Sequence, residues 1–493
     1  TDHRDPDPPA ARPNGPTPTR ASDPPRGPAD LIWQAWKLLL QNHPHDSICG
    51  CSIDQVHREM APRFDQAEQI AQEITSQSLS AIAEQIDTRL TYPIEGEQEV
   101  PQPLVVFNPV AGPRTDVVTA QMRLPGPPDG IQVIGPNGNV IPHQVAAAPP
   151  DAMRSLFEIE TTPDELAVYF DLIEGGRVLN HVIHRIDWRQ TGDEVEVEVV
   201  LSESGQPDLA HLATTRNSFD ELIASGTVSR FVVRGVLAET RELVFVAPDV
   251  PAYGYATFTV RPRPAGRAPY DQDKADIGAP RDKVLETDLL CIQVDAVDGT
   301  LTLTDKMSGA VYFGLNRFVD GGDRGDEYNY CRPEEDKVVA TPAAPPIVKV
   351  VEDGPVRKTV HIFQIYRVPR SLRSDRRGRR SESSADPAAV VDLPILSRVT
   401  LYAGMRRVDV ETTVNNQAQD HRLRVHFPVP ASVDHATTQA HYFAARRPVP
   451  QIPAGQDTSD WVEQPVSAVP QRGWAEISDG QAGLLIANRG LPE

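Results

Sequence analysis

The hydrophobic period of this chain changes once, near residue 100, and that change limits the folds open to it. Upstream, Leu31, Ile32, Ala35, Trp36, Leu38, Leu39 and Leu40 recur at helical spacing, with Asp30 near the start and Pro44 just past the end, which predicts a short, buried helix. A second helix is expected after Cys51, where Ser52 and Gln55 have the spacing of a capping box. Val56, Met60, Phe64, Ala67, Ile70, Ala71, Ile74, Ile82, Ala83 and Ile86 mark its apolar stripe towards Arg89, and Pro62 should kink it. Two such helices carry too much apolar surface to stand alone, so they read as part of a bundle whose other helices lie upstream. Downstream, short alternating or β-branched runs take over, among them residues 104–107, 195–201, 231–236, 243–246, 256–260, 301–304, 347–351, 360–363, 399–402 and 408–414. So many strands with so little helix between them predict a multidomain α plus all-β chain: a partial helical bundle followed by antiparallel β-sandwich domains.

A length of 493 residues suits two to four domains. Residues 1–28 hold many prolines and alanine alone among apolar side chains, so they read as a disordered tail. Residues 29–95 are the expected partial bundle, 100–262 a first β-sandwich and 283–493 a larger, truncated one, separated from the first by the Pro- and Gly-rich boundary at 262–282. The loop 371–387, with five arginines and five serines, reads as a solvated insertion. The chain begins at Thr1 and its first methionine is Met60, so it is expected to be a piece of something longer.

Composition removes several functional classes. Lys and Arg total 48 against 69 Asp and Glu, a net charge of -21, so no general basic field exists for nucleic acid or an anionic membrane. Apolar runs such as Leu38-Leu39-Leu40 fall far short of the roughly 20 residues that cross a bilayer. Four cysteines in so long a chain argue against a disulfide framework, and Cys49-Gly50-Cys51 lacks the two-residue spacer of zinc knuckles and redox motifs, so structural thiols in a reducing, cytoplasmic compartment are expected.

Two clusters could carry chemistry. Asn42-His43-Pro44-His45-Asp46-Ser47 connects the two helices, and imidazole and carboxylate are preferred zinc ligands. Such a turn supplies at most two or three ligands, Pro44 forces His43 out of helical geometry, and plain capping at a helix junction is the competing reading. The second cluster, Asp320 to Tyr330, interleaves glycines, acids and tyrosines. These groups hydrogen-bond and stack on sugars, although calcium binding or an unliganded acidic hairpin would suit the same residues.

With those residues in view, the chain resembles glycoside hydrolase family 38, the retaining zinc-dependent α-mannosidases, over nearly all of residues 29–493. The resemblance is carried by WQAWKLLLQNHPHDSICGCSIDQVHREM at 33–60, by Asn316 to Phe318 through Glu327 and Tyr328, by Arg422 to Pro428 and by Gly490 to Glu493. The first segment is similar to the bacterial branch that includes mannosylglycerate hydrolases. The resemblance implies an N-terminal β/α barrel, a helical bundle and β-sandwich domains, with the active site at their junction. It implies that His45 is a zinc ligand, that Asp46 hydrogen-bonds the sugar, and that Asp326 and Tyr328 reach the substrate cleft. Many relatives have a second histidine where Pro44 stands, so His43 is not carried over. The nucleophile, the acid/base carboxylate and the other zinc ligands belong to the barrel, which residues 1–28 do not contain. The expected function is therefore α-mannosidase-like hydrolysis of an α-mannoside or mannosylglycerate-type substrate by a larger protein, this chain being inactive alone. A non-catalytic carbohydrate-binding or assembly subunit paired with a separate barrel is the alternative, and an independent metal hydrolase built on His43, His45 and distant acids a third. A homo-oligomer is compatible with each.

Overall fold

The structure, a computed structural model, describes residues 27–88, 101–122, 124, 130–146, 155–171, 173–179, 181–202, 209–237, 241–263, 283–326, 329–381, 386–449, 457 and 468–491. All but the last two residues of the expected tail, and nearly all of the boundary at 262–282, lie outside the described residues. The chain forms two compact units. One holds the N-terminal helices together with Gly325–Cys331, and the other holds the remaining β-rich chain. It is mostly β, with several antiparallel sheets after a short helical segment.

In the helical unit, α1 spans Gly27–Gln41, α2 His45–Ile48 and α3 Asp54–Ala83. Three details differ from expectation. Helix α1 already begins at Gly27, inside the expected tail, because Pro28 suits the first turn, where its missing N–H leaves no bond unmade. The capping box is absent: Ile53 occupies the N-cap position without a side-chain bond, because the Ser52 hydroxyl instead donates to the Asp46 carbonyl at 2.8 Å. And α1 is not buried. Leu31, Ile32, Trp33, Trp36 and Leu40 are all exposed, since α3 covers only the face that holds Ala35, Leu38 and Leu39. Helix α3 ends at Ala83 and keeps Pro62 within it.

In the β-rich unit, residues 101–263 form a sandwich with a module set into it. A four-stranded sheet orders Gln102–Asn108, Gly254–Pro262, Ile131–Ile134 and Val140–Ile141, and a three-stranded sheet orders Arg114–Met122, Arg241–Val250 and His143–Val145. Their inner faces share a core of Ile131, Val133, Leu243, Phe245, Phe258 and Val260, with the Phe245 and Phe258 rings 5.0 Å apart. Strands rich in β-branched residues place every second side chain in such a layer, which is the origin of the alternation in the sequence.

Between His143–Val145 and Arg241–Val250, which pair with each other, the chain makes a long excursion that the strand-only reading does not contain. A five-stranded sheet orders Ser155–Thr161, Arg230–Leu237, Glu194–Ser202, His181–Thr191 and Arg177–Val178. Glu194–Ser202 and Arg230–Leu237 run parallel, and parallel neighbours need a crossover, supplied here by helix α5, Leu209–Ala224. With α4, Pro163–Asp171, it helps enclose a core of Leu166, Ile183, Val195, Leu201, Phe219 and Phe231. The opposite face carries glutamate and arginine pairs such as Arg234 and Glu158 at 2.8 Å.

Residues 283–491 begin with two four-stranded sheets, Val284–Glu286 to Val311–Leu315 and Ile347–Asp353 to Val408–Val414, which share the core of Ile292, Leu301, Ile362, Val399 and Leu401. A two-stranded ribbon pairs Arg317–Gly322 with His421–His426, and a last sheet is built from His435–Gln439, Ala444–Pro448, Trp474–Ser478 and Gly483–Ala487. The carboxylate of Asp305 illustrates how tight turns are held here. It accepts from the Ser308 hydroxyl at 2.6 Å and the Met307 amide at 3.1 Å and pairs with Arg406, and the Ser308 bond leads in holding its pKa below the ordinary 3.8. A depressed carboxyl pKa adds stability that is present above the unfolded value and lost as pH falls through the folded one. An Asp305→Asn variant is therefore expected to unfold at lower urea than the parent at about pH 6, with the gap closing below about pH 4. Equal gaps at both pH values would refute this.

The arginine-rich loop is not a freely solvated insertion. Arg373 pairs with Glu335 at 2.8 Å, Arg377 with Glu334 at 2.8 Å, Arg376 with Asp420 at 3.5 Å and Arg380 with Asp386 at 2.5 Å. Arg379 is fully buried against the equally buried Asp320. Charge density alone suggested solvent, but each cation here has a carboxylate from the chain to meet.

Candidate functional site

The turn between α1 and α3 follows from one proline and one asparagine. Pro44 disfavours helical geometry at His43, ending α1, and its own φ of -51° suits the start of the next helical turn. The Ser47 and Ile48 amides donate to the Pro44 carbonyl at 2.9 and 3.0 Å. Asn42 is fully buried beneath the turn, donating from Nδ2 to the Met60 carbonyl at 2.9 Å and accepting from Arg63 Nη1 at 3.3 Å. Sequence reasoning gave Asn42 no role, although a polar residue caught between two apolar helices is the signal that it must be bonded to the backbone.

On this anchored base His45 and Asp46 project outward, their side chains 91% and 67% exposed, with His45 Nε2 3.1 Å from Asp46 Oδ1. His43 is exposed beside them. Asp326 belongs to the same compact unit, and its carboxylate accepts from the Asn329 amide at 3.0 Å, which sets the local turn. Tyr328 lies outside the described residues. The structure thus gathers His45, Asp46 and Asp326 into one unit, with a direct contact between the first two.

Asp320 departs from the rest of the acidic cluster. It lies in the strand Arg317–Gly322 and is fully buried, pairing with Arg379 and with His421 Nδ1, while His421 Nε2 lies 3.1 Å from Asn416 Oδ1. Its role is to lock two strands and a loop together rather than to reach a ligand. The neighbouring Gly322 packs so closely on Pro333 and Arg379 that a Cβ there would collide with both.

No group of three metal-ligating side chains with suitable geometry occurs among the described residues. A zinc ion needs three or four protein ligands, so one exposed imidazole beside one carboxylate does not fit a zinc site by itself. What the turn can do is present an imidazole and an acid, already paired, to groups contributed from outside these residues.

This architecture has counterparts. Residues 19–82 match the α-mannosidase middle domain, and residues 285–490 match the glycosyl hydrolases family 38 C-terminal domain. The chain belongs to glycosyl hydrolase family 38, whose middle and C-terminal domains it carries. It is 25% identical over 480 residues to a protein of Halalkalibacterium halodurans named "putative mannosylglycerate hydrolase", covering 93% of this chain and 44% of that protein. Its fold is similar to that of an α-mannosidase from Enterococcus faecalis V583, with a TM-score of 0.61 and 22% identity over 93% of this chain and 45% of the other. A second Enterococcus faecalis structure, described as a protein in glycosyl hydrolase family 38, gives a TM-score of 0.58 with 22% identity over 92% of this chain and 45% of the other. The chain therefore spans under half the length of these relatives.

Proposed function

We propose that this chain is the non-barrel portion of a retaining, zinc-dependent α-mannosidase-like glycoside hydrolase acting on an α-mannoside or mannosylglycerate-type substrate. The observation that carries the reading is the His45 and Asp46 pair, raised from an anchored turn inside the segment that matches the α-mannosidase middle domain. The collinear likeness to the Halalkalibacterium protein, through both matched domains, supports the same reading. In the complete protein His45 would supply one imidazole ligand to zinc, which would serve to bind and orient sugar hydroxyls. Asp46 would accept hydrogen bonds from the sugar, and Asp326 would border the cleft. Retaining cleavage needs two carboxyl groups about 5 to 5.5 Å apart, one attacking and one protonating the leaving oxygen, and both are assigned to a barrel outside this chain.

Turnover of an aryl α-mannoside and zinc content test this directly. The 493-residue chain alone is expected to give neither, and the intact protein that carries it should give both. In that intact protein His45→Ala should lower kcat/KM by more than the roughly 10- to 100-fold that loss of an outer-shell metal partner costs, with zinc lost in parallel. Turnover by the chain alone, or full activity in His45→Ala, would overturn the reading.

A further inference from the structure

Two thiols meet at the end of the same turn. Cys49 Sγ and Cys51 Sγ are 3.1 Å apart, about 1 Å from the roughly 2.05 Å of a disulfide bond. Gly50 makes the approach feasible. Its φ of +89° lies where a side chain is strained, and it turns the backbone so that both neighbours present sulfur to the same side. Cys49 is exposed and so open to an incoming oxidant. Cys51 Sγ lies 3.5 Å from the Asp46 carbonyl and 3.8 Å from Asp46 Oδ1, so the thiol pair touches the acid that stands beside His45. The short spacer, read from sequence as a sign of inert structural thiols, is bridged by the glycine turn.

We propose that Cys49-Gly50-Cys51 is a reversible dithiol–disulfide site, oxidised by a low-molecular-weight disulfide of the glutathione type. The Cys49 thiolate attacks one sulfur of the oxidant, forming a mixed disulfide and releasing one thiol. The Cys51 thiolate then attacks Cys49 Sγ, forming the internal disulfide and releasing the second. Two protein thiols are oxidised, one small disulfide is reduced to two thiols, and the two protein protons leave on them. Closure removes the Cys51 S–H that faces Asp46 and ties down the turn bearing His45 and Asp46. The chemistry of the pair stands independently of the glycosidase reading.

The test is peptide mapping of the full chain after incubation with glutathione disulfide and a chelator. Cleavage after Lys37 and Arg58 gives residues 38–58, which contain both cysteines and neither Cys291 nor Cys331. Because the second thiol is already at contact distance, the internal step should outrun release of the adduct. The peptide should therefore lose two hydrogens and resist alkylation, at least about tenfold more often than it carries glutathione, and dithiothreitol should reverse this. In Cys51→Ser the ratio inverts and the adduct stays on Cys49. A parent chain that keeps the adduct, takes no modification, or joins either cysteine to Cys331 would overturn the proposal.

Discussion

Replacing Asp320 with alanine should destabilise the β-rich unit by about 3 to 5 kcal/mol, the usual result of removing one partner from a buried ion pair. Both side chains of the Asp320 and Arg379 pair have 0% exposure. Without the carboxylate, Arg379 would keep its charge in a place without water, with only the carbonyls of Lys337 at 3.1 Å and of Pro369 and Asp320 at 3.4 Å to face. His421 would lose the partner of its Nδ1 at the same time. Urea unfolding followed on the parent and Asp320→Ala measures the loss. The double variant Asp320→Leu with Arg379→Met should recover much of it, since no buried charge is left unpaired. A loss under about 1 kcal/mol in the single variant would show that water reaches the pair.

Arg357→Ala is expected to cost about 3 kcal/mol, at the lower end of that range because its partners are less deeply buried. Arg357 donates from Nε to Glu352 at 2.7 Å and from Nη2 to Glu242 at 2.6 Å, so one guanidinium joins the first sandwich to the sheets that follow residue 283. Burial alone would lower its pKa, but the bonds to Glu352 and Glu242 outweigh burial and hold it above the ordinary arginine range. Gln144 completes the junction by accepting from the Arg357 amide at 3.0 Å and donating to Glu352 at 2.6 Å. Gly354 lies so close to the Gln144 side chain that no Cβ fits between them. Arg357→Lys should restore little, because an ammonium cannot make the two divergent bonds of a planar guanidinium. Thermal unfolding of the three proteins decides this. Equal midpoints for parent and Arg357→Lys would disprove the bidentate role.

What could be read from the sequence was what depends on neighbouring residues. The stripe on α3 and the alternation in Val195 to Leu201 follow from the period of each element, so both were visible before any contact was known. Helix α5 shows the limit of that approach. Leu212, Thr215, Phe219, Leu222 and Ile223 do recur at helical spacing, but Thr215 stands where an apolar residue was sought, and strands on both sides masked the change of period. The junctions were out of reach in principle. Asp320 and Arg379 are 59 residues apart in a chain that holds many other acids and arginines, and only folding chooses which pair is buried. The candidate site was legible where a motif is local, as at His45 and Asp46. The Cys49 and Cys51 contact was not expected, because a separation of two residues does not by itself say that two sulfurs meet.

The excursion between His143–Val145 and Arg241–Val250 has one more consequence. The Ala146 amide donates to the Glu242 carbonyl at 2.9 Å, so the chain leaves the sandwich and re-enters it one hydrogen bond apart. Seen from the sandwich, the whole module stands where a tight hairpin loop would otherwise be. Once the module has folded, the entropy of closing that loop is that of a short connection, however many residues intervene. The module is thus a cassette, and replacing it with a designed two-residue turn should leave the strand register that surrounds it undisturbed.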